Sequence, residues 1–155
     1  MNMKTPARFA TYALTLAFGV LLGMEIPQIK WQVREWRYNE RHEKEVRENP
    51  RDSMAWFALG CSKAKAHDYA GATLCFQTAT QLNPNDCASL DHLAMCSLRL
   101  GKFEDAKRYA DQALNIVKDT SPGSVDQAQA KHDAIVAICD TPVPLRAQAM
   151  KGLPY

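Results

Sequence analysis

The sequence predicts an all-α protein: an N-terminal transmembrane helix, a charged juxtamembrane helix, two helix-turn-helix units and a C-terminal capping helix. Three observations predict it. Phe9 to Met24 runs sixteen residues without a charged side chain. Residues 28–48 then carry charges of both signs at helical spacing. From Ser53 to Thr120 the chain repeats itself at a period of 34 residues, laying Trp56 on Leu90, Leu59 on Leu93, Gly60 on Ala94, Tyr69 on Phe103 and Ala72 on Ala106.

The first element occupies residues 1–27. Lys4 and Arg8 are its only charges before Glu25. Sixteen helical residues rise about 24 Å, short of a hydrocarbon core of about 30 Å. With Ala7 and Ile26 counted, and Arg8 and Glu25 snorkelling, a span is reached. A cleaved signal peptide competes with this reading, since Ala17-Phe18-Gly19 offers a small-x-small site, although cleavage there leaves Val20 to Met24 as an apolar stub. A buried helix of the folded domain is the third reading.

Residues 28–50 continue as a charged helix beyond Pro27. Glu40/Lys44, Arg41/Glu45, Glu43/Arg47 and Lys44/Glu48 are favourable i,i+4 pairs. Trp31, Trp36 and Tyr38 lie in its first half, at the headgroup level that amphipathic rings favour. It is either a solvated spacer or a helix packed on the first helix-turn-helix unit. Glu48-Asn49-Pro50-Arg51-Asp52 echoes Leu82-Asn83-Pro84-Asn85-Asp86 one period later, so the helix is expected to enter the array as the last helix of a preceding unit. His42 and Glu45 stand where an aromatic residue and an alanine belong, and no full third unit is expected.

Residues 51–140 form the repeat domain, with units at 53–86 and 87–120. Asp52 or Ser53 is placed to cap the first helix, Asp68 the second and Asp86 the third. Gly60, Ala72 and Ala79 allow close helix approach, with Trp56 and Phe76 filling the space beside them. Pro84 stops the second helix, and Gly101-Lys102 makes the second turn. Each unit leaves an apolar face that only a neighbour covers. Ser121-Pro122-Gly123 is a turn, and Ser124 is expected to cap a helix over 124–140 whose Val125, Ala128, Ile135, Val136, Ile138 and Cys139 cover the open end. Residues 141–155, with three prolines, are expected to be an extended tail.

The 34-residue period, the W-x2-L-G start at Trp56-Leu59-Gly60 and the Ala72, Phe76, Ala79, Pro84 run resemble the tetratricopeptide-repeat family. The second copy is looser, with Ala94 for the glycine, Ala110 for the aromatic and Lys118 where the proline stands. The resemblance implies a concave groove lined by the first helix of each repeat. Carried over, its lining is Met54, Phe57, Cys61, Ala64 and Lys65, then Ala88, Asp91, Met95, Leu98 and Arg99. Phe57 and Cys61 replace the Lys and Asn with which some family members clamp acidic chaperone tails, so that clamp is absent. The groove is apolar with charges at its edge, suited to an amphipathic helix, a hydrophobic segment or the chain's own flanking segments.

Net charge is +2, and residues 25–52 and 53–155 are each neutral, so no basic stripe points to nucleic acid. The five cysteines follow no framework spacing and read as packed thiols. His92 and Cys96 at i,i+4 make half a metal site with no second pair. No nucleophile, phosphate-loop or paired-carboxylate motif appears, and no enzyme activity, cofactor, metal or small-molecule substrate is expected. Two functions stay open: a scaffold or adaptor acting as an accessory subunit or assembly factor on a larger membrane complex, and a receptor that transiently holds amphipathic targeting or client peptides. For topology, two basic residues precede the apolar run (Lys4, Arg8) and five come after it (Lys30, Arg34, Arg37, Arg41, Lys44). This count places the repeats on the cytoplasmic side or its organellar equivalent. A short basic start before a lone apolar run argues the other way, and the unpaired cysteines favour the first.

Overall fold

A computed structural model describes residues 39–150. The expected membrane helix over 1–27, the start of the charged helix with Trp31, Trp36 and Tyr38, and residues 151–155 lie outside the described residues. Residues 39–48 are helical. Six helices come after them: α1 Ser53–Lys65, α2 Tyr69–Leu82, α3 Cys87–Arg99, α4 Phe103–Thr120, α5 Val125–Asp140 and α6 Val143–Ala149. Among the described residues no helix is long and apolar enough to cross a membrane.

Local chemistry explains where the helices start and stop. The Asp52 carboxylate accepts from the Met54 amide at 2.9 Å, Asp68 from Gly71 at 3.0 Å, and Asp86 from Ala88 at 3.1 Å and Ser89 at 3.3 Å. Lys102 precedes α4 without a side-chain cap, and Glu104 and Asp105 in its first turn suit the helix dipole instead. The two hairpin turns are alike. His67 and Gly101, one period apart, both take positive φ, at 60° and 73°. The next amide closes back on the helix in each case, Asp68 to Lys63 O at 2.9 Å and Lys102 to Ser97 O at 2.8 Å, which satisfies carbonyls that the helix end leaves open.

Packing obeys the period. Phe76 is 0% exposed and lies against Gly60, where an added Cβ would come within 2.7 Å of its ring. Ala64, Ala72, Leu90, Leu93 and Cys96 close the cluster around it. Residues 39–48 seal one end: Val46 is buried with Ala55, Leu59 and Cys75. The Trp56 indole donates to Pro50 O at 2.9 Å, and Glu43 reaches Lys63 at 3.6 Å rather than pairing with Arg47. This part of the charged helix therefore packs on the first repeat. His42, one period ahead of Phe76, is buried as the aromatic residue would be, its Nδ1 2.7 Å from Glu45 Oε2.

The other end is sealed by α5, whose Ile135, Ile138 and Cys139 join Ala94, Leu98, Ala106 and Ala110. Two details differ from expectation. Ser124 makes no side-chain capping bond; it ends a single 3-10 turn, Pro122–Ser124, that leads into α5. The extended tail is corrected as well, because Val143–Ala149 is a helix. Prolines at the very start of a helix remove no hydrogen bond, since those amides have no intrahelical partner. Arg146 then fixes the helix, donating to Thr141 O at 2.6 Å with its guanidinium 4.2 Å above the Phe103 ring.

Candidate protein-interaction surface

The residues expected to line a groove lie on α1 and α3, and the structure divides them. Met54 is 65% exposed, and Lys65 is exposed at the far end of α1. Between them Phe57 and Cys61 are half-buried against the Phe76 cluster. On α3, Ala88 is exposed, Met95 is half-buried against the α5-side cluster, and Arg99 lies 6.0 Å over the Tyr69 ring. Asp91 is engaged within the fold by Lys131 of α5 at 2.8 Å. Ala64 and Leu98 are corrected: both are 0% exposed and belong to the core. For Leu98 the reason is that α4 and α5 enclose the helix face that carries it, through Ala106, Ala110 and Ile138. Of the expected lining, Met54, Lys65 and Ala88 are exposed, and Phe57, Cys61, Asp91, Met95 and Arg99 are half-buried.

Spacing offers His92 only as half a metal site, and the structure gives it another task. Its ring stacks on Phe76 at 5.0 Å and 9°, with the Phe57 ring 5.2 Å away edge-on. Burial lowers its pKa, so the neutral ring fills the seam between the repeats. Nothing in the period announces this, because Ala58 holds the equivalent place in the first repeat. Among the described residues no group of three or more His, Cys, Asp or Glu side chains is placed to hold a metal ion.

The cysteines are free thiols. Burial pushes Cys75 up to about 11 and Cys96 up to about 12, and raises Cys61 and Cys139 as well. Thiols held protonated in this way are poor nucleophiles.

A second histidine works in the opposite sense. His132 of α5 reaches Asp111 of α4 at 2.7 Å and Asp133 at 3.1 Å, and hydrogen bonding to these carboxylates, Asp133 foremost, raises its pKa. Its folded pKa stands above the unfolded value of about 6.5, so its stabilisation is full below that value and fades as pH rises through the folded pKa. For His92 the folded pKa is depressed, so stability falls as pH drops below about 6.5. Chemical unfolding at pH 5 to 8 should separate the two. His132→Gln is expected to lower stability more at pH 5.5 than at pH 8, and His92→Phe to remove an acid-side loss. Equal losses for His132→Gln at both pH values would disprove its assignment.

One opening was not anticipated: a cleft of about 630 Å³ between α2 and α4, floored by Leu90 and Leu93 of α3. Its walls carry Gln77 and Gln81 on one side and Gln112 and Asn115 on the other. The signal for it in the sequence is amide side chains recurring at i,i+4 and i,i+3.

Comparison with known proteins agrees with the helix layout. Residues 53–86 match the family model described as tetratricopeptide repeat. A TPR repeat-containing protein of Pseudomonas aeruginosa is 38% identical over 75 residues, which is 48% of this chain and 13% of that protein. Both support tetratricopeptide-repeat character here. The chain thus spans a small part of the length of that relative.

Proposed function

We propose that this tetratricopeptide array is a non-catalytic scaffold that holds a protein partner on the first-helix face, tethered to a membrane through residues 1–27 as an accessory subunit or assembly factor of a larger membrane complex. Repeats of this kind generally serve protein–protein interaction, and that much rests on the family match. The single observation behind the partner surface is the pair of exposed Met54 and half-buried Phe57 on α1, with an exposed cation, Lys65, at the far end of the same helix. The tether is supported by the uncharged run Phe9–Met24, and the cytoplasmic-side placement of the repeats by the basic residues that come after it and by five free thiols.

One experiment addresses all three parts. Sealed cells bearing the tagged full chain are treated with an impermeant amine reagent, and their membranes are then washed with carbonate, solubilised in detergent and affinity-purified. The chain should stay with the membrane, Lys102 should be labelled only after permeabilisation, and a stoichiometric partner should accompany it. Met54→Asp with Lys65→Glu should lose the partner while the melting temperature stays near wild type, because both sites are exposed. Retention of the partner by this variant would reject the surface; carbonate release would reject the tether; and labelling of Lys102 in sealed cells would reverse the side. Saturable capture of amphipathic peptides, with nothing co-purifying, would replace the scaffold by a transient receptor.

A further inference from the structure

We infer that the cleft between α2 and α4 is a second binding site, distinct from the first-helix face, for one extended, uncharged peptide segment of about three residues. Its chemistry carries the argument. None of its lining residues bears a formal charge. A charged ligand group there would find no counter-charge to offset what it loses of its water shell. The walls instead present side-chain amides from two helices: Gln77 and Gln81 from α2, Gln112 and Asn115 from α4. A primary amide offers both an acceptor oxygen and N–H donors, the same pair that each residue of a peptide backbone presents. Amides on both sides therefore suit a ligand read through its main chain on two edges, which an extended segment offers and a helix, with its backbone groups paired internally, does not.

Dimensions agree with this occupant. The α2 wall runs from Gln77 to Gln81, with Pro84 just beyond the helix end, and the α4 wall runs from Tyr109 to Ile116. Seven helical steps rise about 10 Å, a length that an extended chain covers in about three residues. The volume of about 630 Å³ lies inside the range of ordinary ligand clefts. Leu90 and Leu93 close the floor and are almost fully covered already, so the apolar contact for a side chain from the middle of the segment comes from the half-buried Tyr109 ring and Ile116. Gln77 Nε2 lies 3.3 Å from the Tyr109 hydroxyl, a weak link across the cleft that an incoming backbone carbonyl can replace.

The test uses the full chain in detergent micelles, with the side-chain NH₂ resonances of glutamine and asparagine tracked by NMR. The probe is a blocked peptide, acetyl-Gly-Ser-Ala-Leu-Ala-Ser-Gly-amide, with a second version in which aspartate replaces both alanines. The neutral probe should shift the resonances of the four wall amides saturably, and the acidic probe should bind at least tenfold more weakly. The variant Gln81→Ala, Gln112→Ala, Asn115→Ala should bind the neutral probe at least tenfold more weakly with an unchanged unfolding midpoint, since all three side chains are exposed. Gln112→Glu alone, which brings a charge into the wall, should also lose it. Absence of shifts at millimolar probe, equal binding of the two probes, or binding untouched by both variants would overturn the proposal. Shifts that depend on protein concentration without probe would make the occupant a second copy and overturn it too.

Discussion

Replacing Phe76 with alanine is expected to cost about 3–5 kcal/mol, a large share of the stability available to a domain of this size. The ring is fully buried and meets both repeats at once: Gly60 of α1 lies against it, His92 of α3 stacks on it, and Ala64, Leu90 and Leu93 belong to the same core cluster. Neighbours held on helical backbones close only partly over the space it leaves, so the cavity cost adds to the lost burial. The partner substitution makes the prediction specific. Gly60→Ala places a methyl group against the Phe76 ring and should cost about 1–3 kcal/mol by overpacking. In the Phe76→Ala background the same methyl enters open space and gains up to about 1 kcal/mol of helix propensity, so its sign should reverse. Urea unfolding of the two single variants and the double variant measures the coupling. Additive losses would show that the ring and the glycine do not share one contact.

Leu98→Asp should be comparably severe, about 4 kcal/mol or more, because it removes a fully buried leucine and puts a carboxylate among Ala94, Ala106, Ala110 and Ile138. A residue lining an open groove would tolerate the same change within about 0.5 kcal/mol. Thermal melts of Leu98→Asp beside Met54→Asp therefore contrast core and surface on helices of the same layer. A melt near wild type for Leu98→Asp would return Leu98 to the groove and remove α5 as its cover.

Much of the repeat domain is legible in the sequence because its signals are local. Asp52, Asp68 and Asp86 each sit one residue before a helix and cap it, and the Gly60–Phe76 contact comes from a small residue facing a large one. What escapes depends on tertiary context. Position in the repeat puts Leu98 in the groove, but its exposure is decided by how closely α4 and α5 fold over α3. Pro142 and Pro144 read as breakers, although at a helix start they cost nothing and Arg146 supplies the anchor. His92 is a polar residue whose role is to be a flat ring, and no period or spacing distinguishes that from a ligand. The cleft of amides arises only when α2 and α4 flank α3, a relation between residues more than thirty positions apart.

The turns at His67 and Gly101 make one corner out of two different residues. Both bend the backbone into the same left-handed conformation, which glycine adopts freely and which costs other residues roughly 1–2 kcal/mol. His67 sits there nonetheless, with its Nδ1 2.8 Å from the Tyr69 hydroxyl, a local bond that offsets part of the strain. The same corner is thus made by glycine at one turn and by a histidine with a compensating neighbour at the other. Residues 53–86 keep the family's letters, while α3 and α4 retrace the same hairpin one period on with alanine where the aromatic stood.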